Sequence, residues 1–192
     1  MVKLSRILII CVILCVTAGA APRKSIYRNG EFGITLPIPS GALLCVPPAD
    51  AHGIDHGFQM LLGTKDAGLC RRSSGKRYMS AFASYNVADD TKLLHDLLEW
   101  SCQSQVKKAC SAAPAGLNIP RMKTEAGRFD RLDGSIEIIV VTQAGKPDPD
   151  WDASVPSINY KFMLNTDAQH LEEDLPTFRK MLTVVKIAPN HR

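Results

Sequence analysis

The sequence predicts an α+β domain, a largely antiparallel β-sheet covered by two main helices and stapled by disulfides. Short runs in which apolar residues alternate with period two are separated by turn signals. Two longer stretches space their apolar residues as a helix does. Four cysteines follow a leader-like N-terminus, the signature of an oxidised, exported domain.

Lys3 and Arg6 precede an apolar run from Ile7 to Val16 and the small residues Ala18-Gly19-Ala20. That is the order of a signal peptide, and the run falls short of the roughly 20 apolar residues of a membrane span. Residues 1–20 are therefore expected to be removed, leaving 21–192 as a single globular domain, periplasmic or secreted. Leu14 precedes Cys15 and Ile10 precedes Cys11, which does not suit a lipid-accepting cysteine, so no membrane anchor is expected after cleavage. The chain has 23 Lys and Arg against 19 Asp and Glu. Removing Lys3 and Arg6 brings the mature domain close to neutrality, which argues against nucleic acid as its partner.

Cys11 and Cys15 leave with the leader, so Cys45, Cys70, Cys102 and Cys110 remain, an even set that reads as two disulfides. Three pairings are open to four cysteines. Pairing of neighbours, Cys45 with Cys70 and Cys102 with Cys110, is preferred because both loops are short and leave the core untouched. The spacings contain no C-x-x-C pair of the kind that structural zinc sites use.

Ser25 to Tyr27 and Phe32 to Leu36 read as strands around a turn at Asn29-Gly30. Ala42 to Val46 and Phe58 to Leu62 are strand candidates. Tyr78 to Tyr85 is a further strand, with Met79, Ala81, Ala83 and Tyr85 on one face and the mixed set Tyr78, Ser80, Phe82 and Ser84 on the other. Asp89-Asp90-Thr91 offers N-cap chemistry for a helix over 92–107, whose apolar face carries Leu93, Leu94, Leu97, Leu98 and Ser101; Trp100 is placed at the core rim. Residues 112–120 read as a loop. Arg128 to Leu132 and Ser135 to Thr142 flank Asp133-Gly134, which predicts a two-residue type I′ hairpin, and Ile136 to Val141 is apolar on both faces, as in a central strand. Ile158, Tyr160, Phe162 and Leu164 alternate with Asn159, Lys161 and Met163 in a half-buried strand. Thr166 with Gln169 reads as a capping box for a helix carrying Leu171, Leu175, Phe178 and Leu182, which Pro176 is expected to kink or split. Val184 to Ile187 is a last strand.

Within this pattern, the opening Tyr27-Arg28-Asn29-Gly30-Glu31-Phe32-Gly33-Ile34-Thr35-Leu36-Pro37 is similar to the start of PsbP-like exported proteins. The end, Phe178-Arg179-Lys180-Met181-Leu182-Thr183-Val184-Val185-Lys186-Ile187, resembles their closing helix and strand. The resemblance implies an α/β/α sandwich and a non-catalytic accessory or binding role.

Four clusters invite chemical readings. Asp50, His52, Asp55 and His56 combine imidazoles with carboxylates, the donor set of a transition metal; Gly53 and Gly57 speak against a helix that would align His52 with His56, so a polar loop is the plainer reading. Asp148, Asp150 and Asp152 begin like a calcium loop, but Ala153 stands where its glycine belongs and Asn159 where its bidentate glutamate belongs. The S-x-x-K pairs Ser73/Lys76 and Ser104/Lys107 lack the companion motifs of serine acyl-enzymes. Arg71, Arg72, Lys76 and Arg77 form the densest basic cluster, suited to an acidic partner surface, and Trp151 is a candidate interface anchor.

No cofactor motif is found. The expectation is a non-enzymatic, exported binding or accessory protein that meets a protein partner through surface loops, an immunity protein against an envelope-acting toxin being one concrete form. The alternative is a metal-dependent envelope hydrolase using His52, Asp55 and His56.

Overall fold

The structure is a computed structural model that describes residues 25–51, 53–72, 77–86, 93–106, 110–145 and 157–188. The expected signal segment, His52, Lys76, Trp151, the Asp89 to Thr91 cap and the acidic Asp148 to Asp152 loop lie outside them. The chain forms β1 (Ile26–Asn29), β2 (Ile34–Pro37), β3 (Leu43–Cys45), β4 (Gly57–Leu61), a short α1 (Gly68–Arg72), β5 (Tyr78–Tyr85) and α2 (Leu94–Val106). It continues with β6 (Ser111–Ala112), β7 (Thr124–Asp130), β8 (Ser135–Gly145), β9 (Ser157–Asp167), α3 (Leu171–Val184) and β10 (Lys186–Ile187). Every described strand pair is antiparallel. The fold is α+β, as the alternation and hairpin signals predict.

A seven-stranded sheet runs β3-β4-β5-β9-β8-β7-β6, and β2 is the middle of a small sheet β1-β2-β10. The large sheet has helices on both faces. On one face, Phe178, Met181 and Leu182 of α3 join Ile136, Ile138, Val140, Tyr160, Phe162 and Leu164 in the main core, which also takes Phe32, Ile34 and Leu36 from the small sheet. On the other, Leu97, Leu98 and Cys102 of α2 cover Ile139 and Val141. β8 is apolar on both faces because it lies between the two helices, and β9 takes the central place beside it. Burying a Leu or Phe side chain contributes about 1.5–3 kcal/mol, so the dozen large side chains that are fully buried are the main reason this arrangement holds.

Both disulfides join sequence neighbours: Cys45 with Cys70 at a Cα separation of 5.4 Å, and Cys102 with Cys110 at 5.7 Å. The second one clamps the end of α2 down on β7. At Gly127 a Cβ would lie 2.6 Å from Cys110 Sγ, so only glycine permits that approach.

Several local expectations are corrected. Asp133-Gly134 is not a two-residue type I′ turn, because only Gly134 has a positive φ, 83°. Gly134 N–H bonds to Arg131 O and Arg131 N–H to Ser135 O, which makes a three-residue loop closed by a glycine bulge. The first hairpin turns over residues 30–33 rather than at Asn29-Gly30, with Asn29 Oδ1 accepting the Phe32 N–H at 2.9 Å. Thr166 is not an N-cap: it belongs to β9, and its hydroxyl donates to Asp174 Oδ2 at 2.6 Å. His170 occupies the cap position without a side-chain cap bond. α3 also runs unbroken through Pro176. The carbonyl that the proline deprives of a partner, that of Glu172, belongs to an exposed residue, where water can replace the bond. Residues 111–112, read in part as loop, form the short edge strand β6 against Gly127 and Arg128. Leu93 precedes α2 and is exposed, and Trp100 is 65% exposed rather than at the core rim.

Candidate functional site

Among the described residues, α2 covers β7 and β8, meets Met163 of β9, and leaves the rest of the same face of β4, β5 and β9 open. Register defines that floor. Ser80 pairs with Met163, Phe82 with Lys161 and Ser84 with Asn159, while Gln59 of β4 pairs with Ser80. These are the outward positions of strands whose inward positions, Met79, Ala81, Tyr160 and Phe162, fill the core. With Leu97, Trp100 and Ser101 of α2 as one wall and Pro47, Pro48, Asp50 and His56 as the other, they enclose a groove of about 600 Å³. That volume suits a small organic molecule.

The floor is amphipathic. The Lys161 ammonium sits 5.9 Å from the centre of the Phe82 ring, within cation–π range. Burial pulls its pKa below the usual lysine value, partly offset by the charge of Glu137. Glu137 is itself held by Arg131, Nη1 to Oε1 at 2.6 Å. Among the described residues the Lys161 ammonium meets no carboxylate. Phe82 is 45% exposed, so two aromatic side chains, Phe82 and Trp100, present apolar surface to the groove.

His56 closes one edge, stacked between Phe32, with ring centres 5.6 Å apart, and Phe82, at 5.3 Å. Its Nδ1 lies 2.9 Å from Ala83 O and its Nε2 2.9 Å from Asp50 Oδ2. Both partners are acceptors, so the geometry suits the protonated ring, in which both nitrogens donate. Burial works against that charge, but the bonds to Ala83 and Asp50 and the charges of Asp50 and Asp55 outweigh it and raise the pKa above the usual imidazole value.

The predicted site residues fare differently. Asp55 receives the Gly57 N–H on Oδ1 and the Tyr27 hydroxyl on Oδ2, and burial, joined by Asp55, pushes that phenol far above its usual pKa. Asp50 receives the Ile54 N–H on its other oxygen. The described polar side chains of this loop, Asp50, Asp55 and His56, thus engage the backbone, one another and Tyr27, and among the described residues no three His, Cys, Asp or Glu side chains gather as metal ligands. Arg77, the last of the basic cluster, makes two hydrogen bonds with Asp174 of α3. Arg71 and Arg72 lie in α1 beside Cys70.

The sequence reading does not single out Lys161, Gln59 or Asn159. The available signal was the polar and aromatic character of the outward positions on β5 and β9, where a strand under a helix would carry aliphatic residues.

No family model matches the chain, and no curated protein matches it. Among solved structures it resembles the solution structure of cyanobacterial PsbP (CyanoP) from Synechocystis sp. PCC 6803. The TM-score is 0.44 and the identity 10%, covering 92% of this chain and 99% of that one. The likeness is one of overall architecture.

Proposed function

We propose that this chain is an exported, non-enzymatic binding protein that holds its ligand in the groove between α2 and the open half of the large sheet. The observation that carries the reading is the floor itself: Phe82, partly exposed, and Lys161, without a carboxylate partner among the described residues, lie side by side on adjacent strands, with the exposed Trp100 of α2 lining the same groove. An uncovered sheet face would ordinarily be either fully polar or roofed by a helix; a mixed apolar and cationic surface in a concave setting is the usual make-up of a ligand site. Two disulfides support an oxidising compartment. The bonds that already occupy Asp55 and His56 favour a binding role over a metal-dependent hydrolase. The two hydrogen bonds that commit Arg77 to Asp174 favour the groove over the basic cluster as the binding surface.

The test is a fragment screen on the isotopically labelled mature chain, read by amide NMR shifts. Binders are expected to move resonances of β4, β5, β9 and α2 together. Shifts confined to residues 64–72 would instead assign recognition to the loop before β5, and a screen without binders would remove the groove reading.

A further inference from the structure

The groove's charge and its surfaces together narrow the class of ligand. Among the described residues two groups able to carry positive charge face it, Lys161 and, when protonated, His56, and one anion, Asp50, which is already bonded to His56. With Asp50 and His56 taken up by each other, the uncompensated charge among the described lining residues resides on Lys161. A cation that is partly withdrawn from water is costly unless something compensates it, and the Phe82 ring at 5.9 Å does so only in part. The exposed part of Phe82, beside the His56 ring stacked on it, and Trp100 provide apolar surface, which prefers stacked or tilted aromatic partners. Ser80, Ser84 and Asn159 add neutral hydrogen-bonding groups along the floor without adding charge.

We infer that the groove takes an aromatic organic monoanion, its carboxylate on the Lys161 ammonium and its ring system against Phe82 and Trp100. This rests on the groove being the ligand site and adds the chemistry of the ligand. Charge complementarity selects an acid over a base or a neutral amphiphile, because a second cation would meet Lys161 and His56 together. A single carboxylate matches the single uncompensated charge among the described residues.

The experiment is calorimetric titration of the intact mature protein with naphthoate and with naphthalenemethanol, which share a ring system and differ in the charge. Naphthoate is expected to bind one-to-one and about tenfold more tightly than the alcohol, the order of difference a charge-assisted hydrogen bond makes. Lys161→Met should bring naphthoate down to the level of the alcohol and leave the alcohol unchanged, whereas Lys161→Arg should keep most of the preference. Trp100→Ala, on the exposed side of α2, should weaken both probes alike. Equal affinity of the two probes for the unaltered protein, or naphthoate affinity unaffected by Lys161→Met, would overturn the anionic ligand while leaving the groove in place. Failure of both probes to bind would count against the groove itself.

Discussion

Arg77, at the entry to β5, and Asp174, in the first turn of α3, are joined by two hydrogen bonds, Nε to Oδ2 at 2.9 Å and Nη2 to Oδ1 at 2.6 Å. Asp174 is 3% exposed, and its Oδ2 also accepts the Thr166 hydroxyl from the end of β9. One carboxylate thus ties three elements together. Removing one partner of a buried pair leaves the other charged and uncompensated, which costs about 3–5 kcal/mol. Arg77→Met is therefore expected to lower the urea-derived unfolding free energy by about 3 kcal/mol. A change below about 0.5 kcal/mol, typical of surface substitutions, would show the pair to be dispensable.

The disulfides make a second expectation. Peptide mapping without reductant should recover Cys45 with Cys70 and Cys102 with Cys110 and no other pairing. In the chain-entropy account the longer loop stabilises more, about 3.5 kcal/mol against about 2.6 kcal/mol. The double variant Cys45→Ala/Cys70→Ala should accordingly lose more stability than Cys102→Ala/Cys110→Ala in denaturant titrations. Equal losses would locate the effect in native packing around Cys102, which is fully buried.

His56 makes stability depend on pH. Its folded pKa is raised above the ordinary 6.5, so the folded state binds the proton more tightly than the unfolded one. The stabilisation is complete below about pH 6.5 and is lost as the pH climbs through the raised folded value. The melting temperature should fall across that interval, and His56→Gln, which carries no titrating ring, should flatten the fall. A profile identical in the two proteins would mean that the imidazolium does not contribute.

Gly57 has φ of 145° and lies so close to β5 that a Cβ would stand 2.0 Å from Ala81 O. Gly57→Ala therefore combines left-handed backbone strain, about 1–3 kcal/mol, with a backbone clash that no rotamer relieves. It should cost at least about 3 kcal/mol by denaturant titration, or prevent accumulation of folded protein. A soluble variant of unchanged stability would require β4 and β5 to separate locally.

The core was legible because its signals are local. Alternation over Ile158 to Leu164 and the double-sided apolar run from Ile136 to Val141 each specify a strand and its burial without reference to the rest of the chain, and neighbouring cysteines found each other. Thr166 and Arg77 were misleading for a common reason: a hydroxyl two residues before a turn and an arginine among other basic residues have plausible local roles, and only the docking of α3 gives them Asp174 as a partner. The groove was legible in its parts, since the mixed face of β5 and the polar alternates of β9 are visible in the sequence. What assembles it is the lateral position of α2, over β7 and β8 instead of β5 and β9, and no local pattern encodes that displacement.

The small sheet has one more consequence. β2 is flanked by β1, from the start of the described chain, and by β10, from its end, with Ile34 opposite Ile187. Synthesis delivers β2 long before β10 exists, so one edge of β2 stays bare until nearly the whole domain has been made. A bare strand edge is a template for pairing with other chains, and contacts this distant in sequence are slow to form. The closing clasp of this domain is thus also its period of greatest exposure to self-association, and a chain truncated before Lys186 should aggregate where the full one does not.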